Sequence, residues 1–135
     1  MAYNIEDIEG IGPVFAGKLR EIGIHTVEEL LEEGAHKKGR SHIAEKTKID
    51  ESKILTWVNH ADLFRIKGIA GQFSELLEAS GVDTVKEFRT RNAENLHLKL
   101  VQVNEVKNLT NRVPSVEMLV EMIEEAKTLD PKVTH

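Results

Sequence analysis

Two short segments of this 135-residue chain offer backbone chemistry, Gly10-Ile11-Gly12 and Gly68-Ile69-Ala70. A Gly-apolar-Gly turn ahead of a helix exposes consecutive N–H groups at the helix end where the peptide dipoles favour an anion. A phosphate oxygen suits such a turn, and nearby Lys or Arg supplies the charge that dominates binding to a nucleic-acid backbone. Lys18 follows the first turn, while Arg65 and Lys67 precede Gly68 and Ile69 in the second. The most basic stretch, His36-Lys37-Lys38-Gly39-Arg40-Ser41-His42, adds Lys37, Lys38 and Arg40 to the candidate nucleic-acid contacts. Contacts of this kind position a protein on its partner without reading bases. The competing reading of the basic run is a solvated loop between helices.

Other residues invite chemistry and do not complete it. Asn59, His60 and Asp62 lie close together, but no Ser or Cys nucleophile accompanies them, so Asn59 and Asp62 are read as turn-capping groups. None of the six histidines pairs at the spacing of a helical zinc site, and no acidic cluster has the calcium-loop pattern. With no phosphate-binding loop of the nucleotidase type either, the expectation is a protein that is not an enzyme and needs no metal or cofactor. Trp57, the sole tryptophan, shares a helix pattern with Ile54, Val58 and Ala61 and is expected in the core rather than stacked on a base. Glu32-Glu33 and Glu124-Glu125 read as solvated faces.

The elements that carry these residues are duplicated. Sliding the chain so that Gly68 lies on Gly10 superposes Ile8, Ile11, Phe15, Leu19, Gly23, Thr26 and Val27 on Ile66, Ile69, Phe73, Leu77, Gly81, Thr84 and Val85. Such repeats mean duplicated supersecondary units. Pro13 suits the first position of a helix, and Phe15, Ala16, Leu19 and Ile22 form one apolar face. Gly23 stands where a left-handed cap is wanted, with Ile24 packing back. Thr26 and Glu29 form a capping box, which Thr84 and Glu87 repeat. Gly34 and Asn92 are expected to end the two short helices.

Further on, Asp50 caps a helix carrying Ile54, Val58, Ala61 and Leu63, and Ser115 caps one carrying Leu119, Val120, Ile123 and Ala126. Leu96, Leu100 and Val103 predict a longer amphipathic helix in the second copy. The fold expected is all-α, two helix-hairpin-helix repeats packed into one compact body, with units at 1–62 and 63–130. Residues 131–135 are expected to form a flexible tail.

The segment Ile5-x-x-Ile8-x-Gly10-Ile11-Gly12-Pro13-x-x-Ala16-x-Lys18-Leu19 resembles the helix-hairpin-helix motif of DNA-repair and recombination proteins. Each copy is also similar to the C-terminal domain of the bacterial RNA polymerase α subunit. Both resemblances imply contact with DNA phosphates through the turn. Over nearly its whole length the chain resembles a bacterial family catalogued as domain of unknown function 4332. The residues that carry this resemblance include Trp57-Val58-Asn59-His60-Ala61-Asp62-Leu63, Arg65-Ile66-Lys67-Gly68-Ile69, Gly81-Val82-Asp83-Thr84-Val85 and Val113-Pro114-Ser115. That resemblance implies a tandem helix-hairpin-helix fold and carries no assigned activity.

Composition limits the partners. The chain is 40% hydrophobic and 30% charged, an ordinary globular balance, with aromatics at only 4%. The absence of cysteine excludes disulfides and thiolate metal sites and fits a reducing cytoplasm. The N-terminus lacks a signal-peptide pattern, and no apolar run approaches the ~20 residues that span a bilayer, so no membrane partner is expected. A net charge of −5 argues against strong non-specific DNA binding. Glu6, Asp7 and Glu9 crowd the first turn with negative charge, whereas the second has Arg65 and Lys67 but Ala70 in place of a second glycine. Weak, sequence-independent DNA binding, chiefly at the second turn, is therefore the first expectation. The alternative is a protein-interaction or scaffold module that binds no nucleic acid; the oligomeric state stays open.

Overall fold

The computed structural model describes residues 3–135, and among them every regular element is helical apart from one isolated bridge between Asn4 and Thr26. After a 3-10 turn at Ile5–Asp7 come α1 (Pro13–Glu21), α2 (Val27–Gly34), α3 (Lys37–Thr47) and α4 (Glu51–Leu63). Then follow α5 (Gly71–Ala79), α6 (Val85–Phe88), α7 (Ala93–Lys107) and α8 (Val116–Lys127). The architecture is all-α. The expectation of one body is refined, because the helices sort into two compact units, Met1–Asp62 with Lys132–His135 and Leu63–Pro131.

The duplication is written in the backbone. In the first unit the Ile11 N–H donates to Ile8 O at 3.2 Å and the Ile24 N–H to Leu19 O at 3.0 Å. In the second, Ile69 donates to Ile66 O at 3.1 Å and Val82 to Leu77 O at 2.9 Å. The chain reverses twice per unit at glycines of positive φ, +95° at Gly10 and +91° at Gly23, then +91° at Gly68 and +93° at Gly81. Only glycine adopts that region without strain, which is why these positions repeat. Ile5, Ile8, Ile11, Leu19, Ile24, Val27 and Leu30 are buried in the first unit. Their counterparts Leu63, Ile66, Ile69, Leu77, Val82, Val85 and Phe88 are buried in the second.

Helix boundaries follow their caps, with instructive exceptions. Thr26 Oγ1 accepts the Glu29 N–H at 3.1 Å, and the Glu29 carboxylate accepts the N–H groups of His25 and Thr26 at 2.8 and 3.0 Å. The second copy keeps half of this box: Thr84 Oγ1 accepts from Glu87 N–H at 3.3 Å, but the Glu87 carboxylate turns to Arg91. Asn92 does not end α6. It caps α7, its side chain accepting the Asn95 N–H at 3.0 Å. Ser115 caps α8 as expected, but Val120 is exposed, while Met122 is buried beside Leu119, Ile123 and Ala126.

The basic run is no loop: it forms most of α3, packed on α2. Gly39 makes that approach possible, because a Cβ there would stand 1.9 Å from Glu33 O. Residues 132–135 are likewise no free tail. The Thr134 N–H donates to Ala35 O at 2.8 Å, and Val133 is buried, so backbone pairing and apolar burial tie the segment to the first unit.

Two outcomes follow, both read from Trp57 fluorescence, which reports on the first unit. Gly39→Ala forces α3 from α2 and lowers stability in urea by about 2–3 kcal/mol. Gly17→Ala, in mid-α1 with nothing within 4 Å of an added Cβ, raises it by about 0.5–1 kcal/mol. Backbone N–H groups of His25 and Thr26 hold Glu29 below its ordinary value of 4.5. A depressed carboxylate stabilises the fold above its unfolded value, and that contribution is lost as pH falls through the folded one. Glu29→Gln therefore flattens the fall in thermal midpoint between about pH 5 and pH 3.

Candidate nucleic-acid interface

The first turn presents an open edge. Gly10 and Gly12 are exposed while Ile11 points into the core, its own N–H committed to Ile8 O. Among the described residues nothing accepts from the N–H of Gly10 or Gly12. Gly12, extended at φ −89° and ψ −173°, is the N-cap of α1 and leaves open space where a Cβ would be. Gly10 has no such space: a Cβ would come within 3.3 Å of Trp57 Nε1, so the turn lies against the buried tryptophan. Trp57 in turn packs on Phe15 of α1 with ring centroids 5.1 Å apart, which leaves it no face for a base.

The acidic residues around this turn are partly spent. Glu6 pairs with Arg20, which holds the Glu6 carboxyl below the usual carboxylate range and raises the Arg20 pKa. Asp7 accepts the Asn4 N–H at 3.0 Å. Glu9 is the exposed acid next to the turn, and Lys18 is half-buried along α1.

The second turn is closed by the protein itself. Both oxygens of the Glu125 carboxylate lie 3.2 Å from the Lys67 N–H, so α8 delivers an anion to the edge where a phosphate would approach. A Cβ added at Gly68 would come within 3.2 Å of Met122 Cε, so α8 lies close against this turn. The Ile69 side chain is buried and its N–H taken. Past Ala70 the helix begins on Gly71 at φ +44°, where the first unit has Pro13. Arg65 donates to Asp130 O at 2.8 Å, leaving Lys67 as the exposed cation of this turn. Glu125, which reads as a solvated face in the sequence, instead holds the Lys67 N–H. Nothing in its local sequence marks it, since its target lies on the far side of the unit's chain.

Of the basic run, Lys37 and Lys38 are exposed on the first turn of α3. Arg40 is not available to any nucleic acid, being 3% exposed. Its Nη1 donates to Gly34 O at 2.9 Å and Ala35 O at 3.0 Å, closing the end of α2, and its Nη2 donates to Thr134 O at 2.6 Å. Burial pulls its pKa down and Glu51 opposes that, but a guanidinium stays charged. An open cavity of about 350 Å³ beside it is lined by Lys37, Glu51, Ser52, Leu55 and His135. Asn59, His60 and Asp62 are buried in α4 and form no accessible site. Among the described residues no group of three His, Cys, Asp or Glu could hold a metal, and no helix is long and apolar enough to cross a membrane.

Removing Arg40 takes a donor from three carbonyls of the first unit and leaves Gly34 O, at the end of α2, without one, while Ala35 O keeps the Thr134 N–H. Arg40→Ala lowers its stability by about 2–4 kcal/mol, and Arg40→Lys recovers less than half of that, because a single ammonium cannot reproduce the planar fork. Urea denaturation of both variants checks this, and a loss below about 0.5 kcal/mol contradicts the clamp.

No curated protein and no solved structure matches the chain. A family model described as Domain of unknown function (DUF4332) matches residues 9–129, which take in both turns and all eight helices, and the chain belongs to that family.

Proposed function

We propose that the chain is a non-enzymatic, cytoplasmic helix-hairpin-helix module that binds DNA weakly through phosphates, and that the first turn rather than the second makes the contact. One observation carries the choice: the amide edge at Gly10 and Gly12 is open, whereas the Glu125 carboxylate, held on the Lys67 N–H, puts a negative charge directly beside Gly68 and Ala70. Engagement of Glu6 by Arg20 removes part of the repulsion that the sequence alone suggests there. Lys18 supplies a cation on the helix that the turn begins. With net charge −5 and so few cations at the turn, affinity is low, with a dissociation constant on the order of 10⁻⁴ M at physiological salt.

A second reading, a protein-interaction module, is favoured by one feature. On α7, Leu98 is 60% and Val106 85% exposed, apolar side chains that a protein partner would cover.

Fluorescence anisotropy of labelled duplex at two salt concentrations separates the readings. The DNA reading expects binding that weakens with a slope of about −1 to −2 in log–log form, as for one or two phosphates. Gly12→Asp is the decisive variant. An aspartate is a good N-cap and has room, so the thermal midpoint holds or rises, while its carboxylate occupies the turn and weakens DNA binding about tenfold. Undiminished binding by that variant, or none by the native protein at low salt, overturns the proposal; the latter leaves the protein-interaction reading.

A further inference from the structure

The two units fill the space beneath their turns differently. Trp57 and Met122 hold the same place in the fourth helix of their units, the seventh residue of α4 and of α8, and each lies against the first glycine of its turn. A Cβ added at Gly10 would stand 3.3 Å from Trp57 Nε1, and one added at Gly68 would stand 3.2 Å from Met122 Cε. An apolar methyl group therefore suffices for packing at this point of the framework. The first unit sets a hydrogen-bond donor there instead.

That donor is unused. Trp57 is 4% exposed, its ring packs on Phe15, and among the described residues Nε1 has no acceptor. A buried indole N–H ordinarily finds a partner, and leaving it unpaired costs free energy. Unlike Asn59 Oδ1 and Ser80 Oγ, the orphaned polar atoms of the interior, Trp57 Nε1 is not sealed from solvent. It stands at the edge where Gly10 and Gly12 are exposed and α1 begins. Lys53, one helical turn before Trp57 on the same face of α4, holds its ammonium 5.9 Å from the centre of the Phe15 ring. The matching residue of α8 is Met118, so the second unit lacks this cation as well as the donor.

We infer that the Trp57 indole N–H is a binding donor of the first turn, completing with the amide edge at Gly10 and Gly12 a site for one tetrahedral oxyanion, a phosphate. The inference rests on the reading of that turn as the DNA contact, and it adds a residue that the turn itself does not contain. A phosphate presents several acceptor oxygens, and a donor bonded to a charged acceptor gains about twice what a neutral one gives. The dipole of α1 acts in the same direction, and Lys53 adds charge from the flank. Glu9, exposed beside the turn, opposes both and keeps the affinity low. A thioether donates nothing, so Met122 cannot do the same for the second turn.

The test uses the full chain, isotopically labelled for NMR, in which the single tryptophan gives one indole N–H resonance. Inorganic phosphate is titrated against sodium chloride at matched ionic strength. The indole proton is expected to move downfield and saturate with the same midpoint as the Gly10 and Gly12 amides. Trp57→Phe keeps an aromatic ring against Phe15 and removes the donor. Its phosphate midpoint, read at the Gly12 amide, rises about fivefold, as for the loss of one hydrogen bond. Amides of Gly10 and Gly12 that shift while the indole stays still, or an unchanged midpoint in Trp57→Phe, overturn the inference and leave the turn as a phosphate contact without Trp57. No saturable shift at any of the three beyond that from chloride also overturns it, and the duplex titration then decides the DNA reading by itself. The native indole resonance needs no variant, so the test holds even where Trp57→Phe fails to fold.

Discussion

Each unit hangs on two backbone reversals at positive φ, and a side chain at any of those four glycines would strain the reversal. Gly10 and Gly68 set where α1 and α5 begin; Gly23 and Gly81 set where they stop and send Ile24 and Val82 back into the core. Once those reversals are fixed, little freedom remains. The remaining helix ends are closed by whatever polar group lies nearest, and those local solutions make the two units differ.

The differences are electrostatic rather than topological. Where the first unit keeps the reciprocal Thr26–Glu29 box, the second releases Glu87 to hold Arg91 against Gly81 O. Where the first has the exposed Glu9 beside its turn, the second has at the matching position Lys67, whose N–H holds a carboxylate from α8. A carboxylate accepting a backbone N–H is a fair likeness of a phosphate oxygen doing so. Duplication thus gave one scaffold two surfaces: one turn with an open edge, the other with an internal carboxylate beside it. Arg40 tells a similar story. The residue type that nucleic-acid binding favours is here consumed by carbonyls at a helix end.

Repetition, glycine and caps were legible in the sequence because each is local or recurs at fixed spacing. Pro13, Gly23, Thr26, Asp50 and Ser115 announce their helix ends within four residues. What could not be read were partners far apart in the chain. Glu125 looked like any exposed acid until α8 was laid against Lys67, and Arg40 like any surface cation until Gly34, Ala35 and Thr134 converged on it. Gly39 reads as a loop residue in the sequence, since only the packed pair of helices shows the carbonyl that a methyl group would strike. Ser80 is an intermediate case. Laid on the first copy it stands opposite Ile22, a polar-for-apolar exchange at one framework position, and that signal was available without coordinates.

The return of residues 132–135 to the first unit bears on how the chain is assembled during synthesis. Ribosomes release α1 to α4 first, yet the end of α2 lacks its full set of partners until Thr134 has emerged, after the whole second unit. The half made first is therefore the half finished last. During that interval Arg40 has only the carbonyls of its own neighbourhood within reach.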